Sequence, residues 1–157
     1  MTTKQRIIEE IVTTERDYVQ HLETLQQFKN EVEASGVISG DPAHDIFLNL
    51  NNLIDFQRRF LIRIEQQNGL PEAAQDWGKL FSHYNDYFRV YEPFIANQSR
   101  CQEALDKQWL NISRAKPYLS SDVSGLLEAQ TTLLGFLLKP FQRLCKYPLL
   151  LEVCGSP

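Results

Sequence analysis

Cysteine is scarce in this chain, and what there is stands apart. Cys101, Cys145 and Cys154 are odd in number and widely spaced, with no CxxC pair. That excludes a disulfide framework and reads as reduced thiols of a cytosolic protein. His21, His44 and His83 are as sparse, with no HExxH and none of the paired ExxH motifs of a di-iron bundle. The seven glycines form neither GxxxxGK[ST] nor GxGxxG, so a phosphate-cradling loop is missing. No local motif pairs a nucleophile with a base, which excludes a recognisable covalent-chemistry enzyme. There is no excess of basic charge either: 16 Lys and Arg against 20 Asp and Glu give a net charge of −4. A nucleic-acid-binding chain is expected to carry the opposite balance. Apolar runs are too short and interrupted to span a bilayer, and the first residues lack the apolar core of a signal peptide.

What is present is helical periodicity, with no convincing strand alternation. With 43% hydrophobic residues, 157 residues suit one globular domain and one core. Ile8, Ile11, Tyr18, Leu22, Leu25, Phe28 and Val32 trace one face of a helix from about Thr3 to Ala34, stopped by Ser35-Gly36. Asp41 then reads as a cap and Pro42 as a first-turn proline. A second helix is expected from Ala43 to about Gln67, ended by Asn68-Gly69, and Pro71 is placed to start the next. A third carries Trp77, Phe81, Tyr84, Tyr87, Phe88 and Tyr91. A fourth runs from about Ile95 to Ala115, and a last one from a capping signal at Ser121-Asp122 to the C-terminus. These elements predict an all-α, elongated bundle of five to six helices, in a single domain over residues 1–157.

The segment from Leu137 to Leu151 carries most information. Lys139, Gln142, Arg143 and Lys146 fall at i, i+3, i+4 and i+7, one stripe on a helix. Almost every other position is Leu, Phe, Tyr, Cys or Pro, which predicts burial of the rest of that helix. From spacing alone the stripe is either a solvated strip on a core helix or a face that meets a partner. Pro140 and Pro148 would each cost about 3 kcal/mol in a helix interior, so a purely structural helix has little use for them.

The first helix holds two unusual glutamates. Glu15 lies roughly 50° from the centre of the apolar face and Glu10 about 90° from it, at the flank. A carboxylate inside an apolar stripe needs a partner, since an unpaired buried charge is expensive. Glu15 therefore reads as an internal ion pair or cap, whereas Glu10 suits a plain surface charge or a contact.

Together these stretches resemble the Dbl homology domain of guanine nucleotide exchange factors for Rho-family GTPases. The residues that carry the resemblance are Glu10-Ile11-Val12-Thr13-Thr14-Glu15-Arg16-Asp17-Tyr18, the run Ile46 to Leu61, and Leu138-Lys139-Pro140-Phe141-Gln142-Arg143-Leu144-Cys145-Lys146-Tyr147-Pro148. The wording Phe56-Gln57-Arg58-Arg59-Phe60 is similar to the fungal polarity type. The resemblance implies that the first and third stretches pack side by side to form the GTPase-binding surface. Glu10 would touch the first switch of the GTPase, and Gln142 and Lys146 would also reach the switches. Lys139 and Arg143 would either join them or pair with Glu15 or another buried carboxylate. The implied partner is a Rho-family small GTPase, bound tightest when nucleotide-free. No cofactor and no metal are implied, and no covalent chemistry.

In the family the last helix usually continues for several turns and bears an asparagine that also touches the GTPase. Here Gly155 and Pro157 are expected to end it. Membrane recruitment would fall to flanking domains, such as the lipid-binding pleckstrin homology domain that usually follows. Two other readings stand beside this one. The chain could be a non-catalytic helical scaffold that docks a GTPase or other partner. A membrane-shaping bundle would need a broad basic face, against which the acidic balance speaks.

Overall fold

The computed structural model describes residues 2–154, and the side chains of residues 2–148. The expected helix stop at Gly155 and Pro157 lies outside the described residues. Eight α-helices follow one another: α1 (Thr3–Ser35), α2 (Gly40–Phe47), α3 (Leu50–Asn68), α4 (Trp77–Tyr84), α5 (Glu92–Ala96), α6 (Gln98–Ser113), α7 (Gln130–Leu137) and α8 (Lys139–Cys154). Four short 3-10 stretches lie among them, the longest being Asn85–Tyr91. Only Asn97 separates α5 from α6, and only Leu138 separates α7 from α8. Counting each of these closely joined pairs once, the described residues form six helical units, within the five to six expected. No strand occurs among the described residues, and none of their helices is long and apolar enough to cross a membrane.

The long α1 is the spine. Thr2 and Gln5 form a reciprocal capping box at its start. Gly36 ends it at φ +80°, a left-handed conformation that glycine adopts without a Cβ penalty. Every residue of the expected apolar face is buried, from Ile8 to Val32. That face packs against α3, α7 and α8.

Several expected boundaries move. The single helix foreseen from Ala43 to Gln67 is two, broken at Leu48, whose φ of +53° is unusual for a branched side chain. Periodicity missed the break because Ile46, Phe47, Leu50, Leu53 and Ile54 are buried on both sides of it. The turn lets α2 lie on α6 while α3 lies on α1. Asp41 sits within the first turn of α2 rather than capping it, since Ser39 holds the cap position. Pro71 precedes a 3-10 turn (Glu72–Ala74), and it is Asp76 that caps α4, accepting from the Lys79 N–H. The third expected helix tightens to 3-10 geometry after Tyr84 and leaves Tyr87 on the surface.

No helix starts at Ser121-Asp122; that segment is a turn leading to a 3-10 stretch, Ser124–Leu127. The long last helix foreseen from there is instead interrupted at Leu138. This places Pro140 in the first turn of α8, where its missing N–H has no helical acceptor to lose. The expected penalty at Pro140 is therefore absent, and only Pro148 lies inside the helix.

Candidate functional site

The site lies where α1 and α8 run side by side. Apolar residues at helical spacing press α1 onto the core, and this carries Glu15 inward with them. Its carboxylate is wholly buried. Oε2 accepts from Arg143 Nη2 at 2.6 Å and from Nε at 3.0 Å. Oε1 accepts from Gln57 Nε2 at 2.6 Å, and the Tyr147 hydroxyl lies 2.8 to 2.9 Å from both oxygens. The network continues: Tyr91 donates to Gln57 Oε1 at 2.6 Å, and its hydroxyl meets that of Tyr18 at 2.8 Å. Burial pushes the Glu15 carboxyl above the usual carboxylate range, while Arg143, Tyr147 and Gln57 pull it back. Burial also lifts the Tyr147 and Tyr91 phenols well above their ordinary value.

Three elements thus meet on one carboxylate, α1, α3 and α8, and the Asn85–Tyr91 stretch joins the network through Gln57. The internal ion pair expected for Glu15 is present, and its partner is Arg143. Of the two roles open to Arg143, the structure has it turned inward, 7% exposed, with Nη1 also donating to Thr14 Oγ1 at 2.9 Å. Its guanidinium carbon lies 4.9 Å from the Tyr147 ring centroid. Sequence reading missed Gln57, Tyr18, Tyr91 and Tyr147 as members. Gln57 carried the signal that exposed Glu15: a polar residue in register with Leu53, Phe60 and Ile64, all fully buried.

Outside this lock lies a shallow cleft of about 230 Å³, walled by α1 and α8. Glu10, Thr14 and Asp17 stand on one wall and Lys139, Gln142, Arg143 and Lys146 on the other, with His21 at the end. Glu10, Gln142 and Lys146 are exposed. The cleft is bipolar, acidic along α1 and basic along α8. Lys139 is half-buried, its Nζ 5.1 Å from the Phe136 ring centroid, and it pairs with no carboxylate among the described residues. His21 packs edge-on to Phe136 at 5.6 Å. Burial and the Lys139 charge hold its imidazole below the ordinary value. The rest of α8 is not buried as expected, since Cys145 and Pro148 also face solvent. No group of three potential metal ligands gathers among the described residues.

The chain is thus an all-helical bundle with a buried polar lock behind an open, bipolar cleft. The chain belongs to the RhoGEF domain family, whose model matches residues 7–154. It is 38% identical over 147 residues to cell division control protein 24 of Saccharomyces cerevisiae, covering 94% of this chain and 17% of that protein. It is 37% identical to Rho guanine nucleotide exchange factor scd1 of Schizosaccharomyces pombe, covering 98% of this chain and again 17% of the relative. The chain thus spans about a sixth of the length of these two yeast relatives, which agree with the fungal wording noted in the sequence. Among solved structures it is similar to the one described as "Critical structural role for the PH and C1 domains of the Vav1 exchange factor". The TM-score is 0.82 at 23% identity, covering 96% of this chain and 41% of the other, a likeness of fold.

Proposed function

We propose that this domain is a guanine nucleotide exchange factor for a Rho-family small GTPase, acting through the α1–α8 cleft. The observation that carries this is the cleft itself. Glu10, Gln142 and Lys146 make no side-chain hydrogen bond among the described residues, yet they stand on two helices clamped by the Glu15–Arg143 pair. Polar groups held in fixed positions and left unengaged are suited to a partner's polar backbone and side chains. The family membership, and the name of the Schizosaccharomyces relative, point to the same partner.

On this reading no covalent bond is made or broken. The domain binds a GTPase conformation in which nucleotide and magnesium fit poorly, with Glu10 at the first switch and Gln142 and Lys146 at the switches. By linkage, nucleotide weakens the domain's affinity by the factor with which the domain weakens nucleotide's. The tight complex is therefore the nucleotide-free one, since a partner equally good for both states shifts nothing. Arg143 acts here as a positioning residue, not a contact, and Lys139 borders the contact. On this reading the domain works in the cytoplasm and is recruited to the plasma membrane.

The test is release of fluorescent GDP from a panel of Rho-family GTPases with and without this chain. Acceleration on any member supports the reading. Measurable binding with unchanged release on all of them overturns exchange in favour of a docking scaffold.

A further inference from the structure

We propose that the groove between the C-terminal half of α3 and α4 is a binding site for a phosphate monoester. It is a cavity of about 620 Å³, separate from the α1–α8 cleft and sharing no residue with it. Two helical registers build it. Arg63, Gln66 and Gln67 fall at i, i+3 and i+4 on α3, and Lys79 and His83 of α4, with its cap Asp76, line the facing side.

The donor set selects the ligand. A guanidinium, an ammonium, an imidazole and two carboxamides line one groove beside Leu70, Ala74 and Leu80, with a single carboxylate among them. That carboxylate, Asp76, is already engaged as the α4 cap by the Lys79 N–H at 3.0 Å. The other two arginines of α3 are each answered by a carboxylate, Arg58 by Glu23 at 3.0 Å and Arg59 by Asp55 at 2.6 Å. Arg63 has none among the described residues; its one side-chain bond is a long contact to Gln66 Oε1 at 3.4 Å. Lys79 likewise has no carboxylate partner there.

Gln67 supplies an independent observation. Its Nε2 is buried and finds no acceptor. A buried amide donor left unpaired is disfavoured, and an anionic oxygen in the groove would satisfy it after a rotation of the amide. A dianionic group with several acceptor oxygens matches this set better than a single carboxylate does, because each oxygen can take a separate donor.

The site is tested by titrating the ¹⁵N-labelled chain with inorganic phosphate and with inositol trisphosphate, at matched ionic strength with chloride as control. Saturable shifts at the Gln67 side-chain amide and along residues 63–67 and 76–83 are expected. Arg63→Gln and Lys79→Gln should each weaken binding about tenfold, as expected for loss of a charge-assisted bond. Both residues are exposed, so the variants keep the fold, which circular dichroism checks. Lys146→Gln, on the other basic surface, should leave the binding unchanged. Absence of saturable shifts at these residues with either probe overturns the site, as does an equal loss in Lys146→Gln. Flotation with vesicles containing phosphatidylinositol bisphosphate separates the sources. Flotation lost in Arg63→Gln identifies a lipid headgroup, and binding of the soluble probes without flotation identifies a free one.

Discussion

Arg143 and Glu15 stand 128 positions apart in the sequence and 2.6 Å apart in the fold. No other ion pair among the described residues is buried; the remaining five involve exposed or half-exposed side chains. The pair fixes the rotation of α8 relative to α1, and with it the direction of every side chain on the stripe.

Removing one partner leaves the other charge buried and uncompensated. Arg143→Ala should therefore destabilise the domain by about 3–5 kcal/mol, whereas an exposed pair such as Arg59–Asp55 contributes about 0–1 kcal/mol. The double variant Glu15→Leu/Arg143→Met should recover much of the loss. Urea midpoints for the three proteins check this, and an Arg143→Ala midpoint equal to wild type would contradict it.

Tyr91 is a second, independent handle on the same network. Tyr91→Phe deletes the hydroxyl between Tyr18 and Gln57 and leaves two buried polar groups unpaired. A loss of about 1–3 kcal/mol is expected. Thermal melts give the answer directly, and a loss no larger than that of a surface substitution would show that the hydroxyl is not part of the lock.

The outward residues should behave oppositely. Glu10→Ala and Lys146→Ala should each slow GDP release from the cognate GTPase about tenfold to a hundredfold, the range for a lost hydrogen bond to a charged group. Stability should stay within about 0.5 kcal/mol of wild type, as for ordinary surface changes. Full exchange in both variants would remove the cleft from the mechanism.

His21 supplies a pH signature. Its imidazole is held below the ordinary 6.5 by burial and by Lys139. The unfolded chain takes up this proton more readily than the folded one. His21 therefore lowers stability as pH falls through the ordinary value, and has no effect well above it. Proton NMR should find His21 titrating below 6.5, and Lys139→Gln should move it upward. An unmoved midpoint would show that Lys139 does not act on the ring.

Much of this was legible in the sequence because α1 is long and strictly periodic. Its buried face, the anomaly at Glu15 and the stripe on α8 are all readable from 3.6-residue spacing. Spacing cannot separate side chains that share a stripe, and there Arg143 turns inward while Gln142 and Lys146 do not. Nor could it place the breaks at Leu48 and Leu138. The apolar pattern runs through both, and only packing against a second helix decides where the chain turns. Gln57 was readable in principle, as the one polar residue on the core face of α3, but its partners Tyr91 and Tyr147 are distant in sequence.

The lock has one more consequence, for how far the two faces of these helices can be varied separately. The groups that hold the bundle together and the groups offered outward alternate along the same two helices, yet they share almost no bonds. A substitution at Glu10, Gln142 or Lys146 leaves the interior untouched. The outward face can therefore be altered one residue at a time without disturbing the bonds of the scaffold beneath it.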